Sequence, residues 1–196
     1  MEDAIYVLKS GGRDIKGYAL AAAAILLTII IVVDGGVTDL PTGAGFIAAC
    51  GVGAWVFFLS PKVIADAHGI TSIGPFRTTV TPWAEVEDVF IRWGMKIERV
   101  DGTVIEVPAF PTTGSITRMR YEGDDIDDFA SGTHAYSTTS RKAAAFLQDR
   151  ALHAEQHSAG RPASAQAHSR WHADKIAAWA LALAALAANI YWLSTR

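Results

Sequence analysis

Three stretches of the chain are apolar and contain no Asp, Glu, Lys, Arg or His: residues 17–33, 43–59 and 176–193. If each stretch forms a helix, it is just long enough to cross a bilayer core of about 30 Å. A helix buried in a small soluble domain would normally keep a polar face, yet Thr28 is the single polar side chain in residues 21–33. The pattern therefore predicts three transmembrane helices.

The first stretch also has features of a secretory signal peptide, because Arg13 and Lys16 precede its apolar core. No small-residue cleavage site follows, since Val32, Val33 and Asp34 end the run. A second apolar stretch comes soon after. We interpret the first stretch as a helix of the mature protein.

The basic residues predict an orientation, because short loops rich in Lys and Arg stay in the cytoplasm. They lie before the first span, after the second and before the third: Lys9, Arg13, Lys16, Lys62, Arg170 and Lys175. The loop 34–42 contains two Asp and no cation, which places it outside. We expect a multi-pass inner-membrane protein with its amino terminus and residues 60–175 in the cytoplasm and its carboxyl terminus outside.

Within residues 60–175 the apolar positions form short β-branched runs separated by glycines. Asp101-Gly102 between two alternating runs predicts that 95–100 pairs with 103–107 in a hairpin. A second hairpin is expected around 67–69, and Pro82-Trp83 predicts a strand start or a short turn. An amphipathic helix capped at 138–140 then closes an open end of the sheet, with one apolar face: Ala143, Phe146, Leu147, Ala151 and Ala154.

Residues 64–70, 75–89 and 101–107 together resemble the bacterial pleckstrin-homology-like (PH-like) domain of small actinobacterial membrane proteins. The shared features are a strand with an Asp and a Gly, a Pro-Trp-x-x-Val-x-x-Val step from Pro82 to Val89, and a Val/Ile-rich hairpin placed after two membrane helices. The resemblance implies a strongly bent sheet of about seven strands closed by a carboxyl-terminal helix, with Trp83 in a structural role. Residues 111–139 are longer and more acidic than a hairpin connection.

These patterns predict an α+β membrane protein, with three transmembrane helices and a cytoplasmic PH-like antiparallel sheet domain closed by a helix. The predicted segments are an amino-terminal segment with a two-helix transmembrane hairpin (1–60), the PH-like domain with an acidic insertion near 112–139 (61–157), a flexible linker (158–175) and a final transmembrane helix (176–196).

Composition and charge exclude several classes of protein. Hydrophobic residues make up 51% of the chain, which is too many for a disordered tail. A net charge of −3 without a basic run argues against nucleic acid as a partner. The single cysteine, Cys50, rules out an intrachain disulfide and a thiolate zinc site. Enzyme motifs are absent and no ionisable group lies within a span, so we expect no catalysis, cofactor or transport pathway.

Three cations are candidates for contact with anionic lipid headgroups: Arg92, Lys96 and Arg99. The first hairpin loop, 65–72, has no Lys or Arg with which to bind a phosphoinositide. An ordinary solvated strand face explains the three cations as well.

Two clusters invite a metal interpretation. The acidic run Glu122, Asp124, Asp125, Asp127 and Asp128 fails the calcium-loop pattern, because its sixth position is Phe129 rather than Gly. His153 and His157 are one helical turn apart, but no third ligand is evident. We predict a solvated acidic loop, an exposed histidine pair and no metal site.

Small residues recur at every fourth position in the second and third spans: Gly45, Ala49 and Gly53, then Ala180, Ala184 and Ala188. Such stripes allow helices to approach closely, and Asn189 adds a hydrogen-bonding group that would seek a neighbouring helix. Packing of these two spans on each other and packing on a partner protein explain the stripes equally well.

Taken as a whole, the sequence favours a non-enzymatic interaction or scaffold protein. The leading hypothesis is an accessory subunit or assembly factor of a larger membrane complex, with a respiratory complex as one candidate, and with other integral membrane proteins and membrane lipids as partners. The alternative is a cytoplasmic-face sensor of anionic lipid headgroups. A membrane enzyme with an unrecognised site ranks third.

Overall fold

The computed structural model describes residues 4–36, 40–111, 125–128, 131–158 and 167–195 of the α+β chain. The helices are α1 (Arg13–Gly35), α2 (Leu40–Ala54), α3 (Ser140–Ser158) and α4 (Ala173–Ser194). The strands are β1 (Ala4–Ser10), β2 (Lys62–Ala65), β3 (Gly69–Ile73), β4 (Arg77–Pro82), β5 (Val86–Ile91), β6 (Gly94–Arg99), β7 (Val104–Pro111), β8 (Gly132–Thr138) and β9 (His168–Trp171).

The chain divides into two compact units, each built from segments that are distant in sequence. The sheet unit contains Met1–Gly12 and Pro61–Trp171, and the helix unit contains Arg13–Ser60 and His172–Arg196. The units are therefore interleaved along the chain.

The helix unit contains three helices that are long and apolar enough to cross a membrane: Arg13–Gly35, Pro41–Leu59 and Ala173–Tyr191. They coincide with the three predicted spans and are those expected of a multi-pass membrane protein. The second helix ends in a π-helical turn, Trp55–Leu59.

The strands form two sheets. Sheet A has six strands in the order β8-β1-β2-β3-β4-β9, and sheet B has three in the order β5-β6-β7. Neighbours pair antiparallel except β1 with β8, which are parallel. Sheet A is therefore mixed, whereas the sequence predicted an antiparallel sheet.

Both predicted hairpins are confirmed. Ile97 pairs with Ile105 across the Asp101-Gly102 turn, where Gly102 has a φ of +77° that suits glycine. The backbone N–H of Thr103 donates to Asp101 at 2.9 Å and lowers the pKa of that carboxyl below its ordinary value. In the β2–β3 hairpin, Asp66 Oδ1 accepts hydrogen bonds from the backbone N–H groups of His68 and Gly69, at 2.7 and 3.0 Å.

Strand β1 was not predicted, since residues 1–60 were assigned to an amino-terminal segment and two spans. It pairs with β2 in the register Val7↔Ile64 and with β8 in the register Val7↔Ala135. Its Ala4, Tyr6 and Leu8 are buried in the core. Both partners follow the first two spans in sequence, so no local pattern identifies β1 as a strand of this sheet.

The predicted flexible linker 158–175 is wrong for residues 168–171, which form β9. This strand pairs with β4 from Arg77↔Trp171 to Val80↔His168. All four of its residues are exposed, so it lacks the apolar alternation that marks a strand in sequence. Residues 159–166 lie outside the described residues, as do 112–124 and 129–130 of the predicted acidic insertion.

The core of the sheet unit lies between the sheets and α3. Helix α3 buries Ala143, Leu147 and Ala151 at successive turns, as its predicted face requires. Trp83 is 8% exposed and donates from Nε1 to the carbonyl of Asp66 at 2.8 Å. A short 3₁₀ turn, Trp83–Glu85, carries it, which confirms the predicted turn.

A polar network joins β1 to α3. The hydroxyl of the buried Tyr6 donates to Asp128 Oδ1 at 3.1 Å, and Arg150 Nη2 lies 2.8 Å from the same oxygen. The Arg150 guanidinium also stacks over the Tyr6 ring at 4.1 Å. Hydrogen bonding from Arg150, then from Tyr6, lowers the pKa of Asp128, although burial opposes the shift.

We predict that Asp128→Asn destabilises the protein at pH 7 by about 0.2–1 kcal/mol, the range for an exposed ion pair. Because the pKa of Asp128 is lower in the folded than in the unfolded state, its contribution is present above about pH 4 and is lost as pH falls through the folded pKa. Thermal unfolding at several pH values should show wild type and variant converging in acid.

Asp127→Asn is the matched control, since Asp127 is the adjacent exposed carboxylate. It should leave the pH profile unchanged. A constant gap between wild type and Asp128→Asn down to pH 2 would contradict this role of the carboxylate.

Candidate functional site

The glycine stripe of α2 faces α4 within the helix unit. A Cβ on Gly53 would lie 2.9 Å from the Trp179 ring, and a Cβ on Gly45 would overlap the Asn189 side-chain amide. Ala49, between them, is 4% exposed. Gly45, Gly53 and Asn189 therefore lie where α2 and α4 pack against each other.

The alanine stripe of α4 lies elsewhere. Ala180, Ala184 and Ala188 are all exposed, whereas Ala182 and Lys175 are buried. The stripe therefore does not face the second span, because the helical repeat turns these three alanines about 120–160° away from the buried Ala182. Trp179, a large residue, meets the glycine instead.

Two cations are held at one end of the helix unit. Lys175 is 7% exposed and donates from Nζ to Ser60 Oγ at 2.7 Å. The same Nζ lies 5.9 Å from the centre of the Trp55 ring. Arg13 Nε donates to the carbonyl of Phe57 at 3.1 Å. Cations favour the carbonyl end of a helix, so these contacts stabilise the end of the second span.

The three cations predicted to contact headgroups do not form a free cluster. Arg99 contacts Glu85 at 2.5 Å and Asp101 at 3.1 Å, and Lys96 contacts Glu106 at 3.2 Å. Strand alternation directs Lys96 and Arg99 to opposite faces of β6. Glu85 lies outside the predicted hairpin of residues 95–107, so the sequence pattern could not reveal its pair with Arg99.

Arg92 lies apart from the other two cations, in the exposed β5–β6 turn. Its neighbour Trp93 is 82% exposed and has a φ of +56°, the left-handed conformation that bulky residues rarely adopt. Gly94 follows it with a φ of +114°.

The acidic run and the histidine pair are the two clusters considered as metal sites. Among the described residues, no three His, Cys, Asp or Glu side chains are grouped to hold a metal ion. Asp125 pairs with Lys142 at 2.6 Å, and His153 contacts Asp149 in its own helix. Glu122 and Asp124 lie outside the described residues.

An open cleft of about 420 Å³ lies between the β3–β4–β9 edge of sheet A and sheet B. Its polar lining includes Ser72, Arg77, Thr79, Arg99, Glu106 and His168. Arg99 and Glu106 are already ion-paired, which leaves Arg77 as the lining cation without a carboxylate partner among the described residues.

Comparisons with known proteins add no assignment: no family model, curated protein or solved structure matches this chain.

We predict that Gly53→Leu destabilises the helix unit by about 1–3 kcal/mol, as overpacking of a tight contact does. The added side chain would overlap the Trp179 ring, whose ring centre already lies 5.2 Å from that of Phe57 in an edge-on contact. Thermal unfolding in detergent micelles measures the loss.

Gly51→Leu, on the same helix, is the matched control, because a Cβ there meets no atom within 4 Å. Equal unfolding midpoints for the two variants would show that the glycine stripe is not a packing face.

Proposed function

We propose that the sheet unit is a PH-like domain into which the two-span hairpin is inserted. In support, β1 to β4 are antiparallel neighbours in chain order and β5 to β7 form a second sheet. Helix α3 follows β8 in the chain and packs on the core. This order gives the expected seven strands and closing helix, with β8 and β9 added at the edges of sheet A.

We further propose that the protein is a non-enzymatic interaction module and an accessory subunit or assembly factor of a larger membrane complex. In this proposal the PH-like domain lies on the cytoplasmic side of a bacterial inner membrane. The supporting observation is the exposed alanine stripe of α4: Ala180, Ala184 and Ala188.

The two small-residue stripes differ in what covers them. The glycine stripe of α2 is covered by Trp179 and Asn189 of α4. The alanine stripe of α4 faces away from α2. A helix surface in contact with lipid does not require small side chains. Small residues at this spacing allow the backbone of another helix to approach closely. A helix of a partner membrane protein fits this face.

The alternative function, a lipid sensor acting through Arg92, Lys96 and Arg99, is less well supported. Lys96 and Arg99 would have to leave Glu106 and Glu85 before they could bind a headgroup. Breaking these pairs would offset much of the attraction to an anionic surface.

The test is the mass of the native complex. The full-length protein, tagged at its carboxyl terminus to leave β1 undisturbed, is extracted from its native membrane in mild detergent and run on a native gel. We expect a complex with stoichiometric integral membrane partners, which Ala184→Leu dissociates by blocking close helix approach.

Ala185→Leu is the control, because Ala185 is also exposed but lies about 100° from Ala184 around the helix. It should preserve the complex. A monomer in the wild type, or equal loss in both variants, would refute the accessory-subunit proposal.

A further inference from the structure

The cations of sheet A are concentrated at one end of the sheet. Lys9 lies near the end of β1, Lys62 begins β2, Arg77 begins β4 and Arg170 lies near the end of β9. The register brings these positions to the same end of the sheet: Leu8 pairs with Val63, Lys62 with Ile73, Ile73 with Thr78 and Thr78 with Arg170. Strand alternation puts Lys9, Lys62 and Arg170 on one face of the sheet and Arg77 on the other, where it lines the cleft. We call this the basic end and define it by Lys9, Lys62, Arg77 and Arg170.

The chain also joins the candidate spans at the basic end. Strand β1 ends at Ser10 and α1 begins at Arg13; the second span ends at Leu59 and β2 begins at Lys62; β9 ends at Trp171 and α4 begins at Ala173. Each connection is one or two residues long. If these helices cross a bilayer, such short covalent links hold the basic end near its surface.

The charges of the sheet are strongly asymmetric. The six strands of sheet A contain no Asp or Glu, and all four of their Lys and Arg residues lie at the basic end. At the opposite end, Asp66 lies in the β2–β3 turn, and Glu85, which follows β4, is paired with Arg99. An anionic surface would therefore attract the basic end more strongly than the other.

The basic-end cations are available for binding. Among the described residues, Lys62, Arg77 and Arg170 have no carboxylate partner, and Arg77 and Arg170 are exposed. They differ in this from Lys96 and Arg99. Arg77 does contact Ser169 Oγ, but a guanidinium has further N–H donors.

An exposed aromatic residue accompanies these cations. Trp171 is 64% exposed and pairs with Arg77 across the β4–β9 ladder, and the Arg77 guanidinium lies 6.0 Å from its ring centre. Tryptophan is enriched at the level of the lipid headgroups, where one side of its ring is apolar and its N–H meets water.

We propose that the basic end of sheet A, with Trp171, binds the anionic phospholipid headgroups of the bilayer that anchors the protein. The contact fixes the sheet unit against the membrane surface. It requires no partner protein, so it stands or falls independently of the accessory-subunit proposal.

The test places a fluorescent reporter at each end of strand β3 in the full chain. With Cys50 replaced by Ser, acrylodan is attached at Pro75→Cys in the β3–β4 turn, or at Ala67→Cys in the opposite turn. The protein is reconstituted in nanodiscs of phosphatidylcholine alone or mixed equally with phosphatidylglycerol. Quenching by neutral acrylamide then measures shielding of the label.

We expect phosphatidylglycerol to shield the label at residue 75 but not the label at residue 67. Lys62→Gln, Arg77→Gln and Arg170→Gln together should abolish this effect. Each substitution should lower the ratio of shielded to accessible label roughly fivefold, the factor that corresponds to about 1 kcal/mol per cation near an anionic surface. Added salt should weaken the shielding.

Arg92→Gln with Lys96→Gln is the matched control and should keep the shielding. If the triple variant unfolds, Arg170→Gln alone still tests the proposal through a partial loss. Equal quenching in both lipids, shielding that survives loss of the three cations, or loss of shielding in the control variant would overturn the proposal.

Discussion

The antiparallel pairing of β1 with β2 is the constraint on which the rest of the structure depends. The two strands are separated in sequence by two apolar helices, yet Val7 lies opposite Ile64 in one sheet. A sheet cannot be divided by a bilayer, because each strand must satisfy its backbone hydrogen bonds with its neighbour. If α1 and α2 both cross the membrane, β1 and the rest of the sheet unit lie on the same side of it.

The same pairing determines where charge collects. With β1 and β2 antiparallel, the end of the first meets the start of the second, and this brings Lys9 and Lys62 together. The register continues through β3 and β4 to β9 and adds Arg77 and Arg170. Basic residues that flank spans predict orientation from sequence. Folded into one sheet, they also concentrate positive charge at one of its ends. Ion pairing gives Lys96 and Arg99 a different role within sheet B.

Local signals predicted most of the regular elements, and contacts distant in sequence account for what was missed. Asp101-Gly102 specifies its hairpin through turn chemistry, and the face of α3 follows from the spacing of Ala143, Leu147 and Ala151. Strands β1 and β9 depend on partners far along the chain, so their own residues carry little evidence of pairing. The alanines of α4 match the glycines of α2 in spacing, but Trp179 and Asn189 decide which face packs.

A disulfide trap tests the β1–β2 pairing most directly. With Cys50 replaced by Ser, cysteines at residues 7 and 64 should cross-link on mild oxidation in native membranes, because paired positions lie within about 5.5 Å and a disulfide spans that distance. Cysteines at residues 7 and 80 are the control, since Val80 lies three strands away, about 14 Å. Cross-linking of the first pair alone is the result that this structure predicts. Failure of the first pair, or equal cross-linking of both, would contradict it.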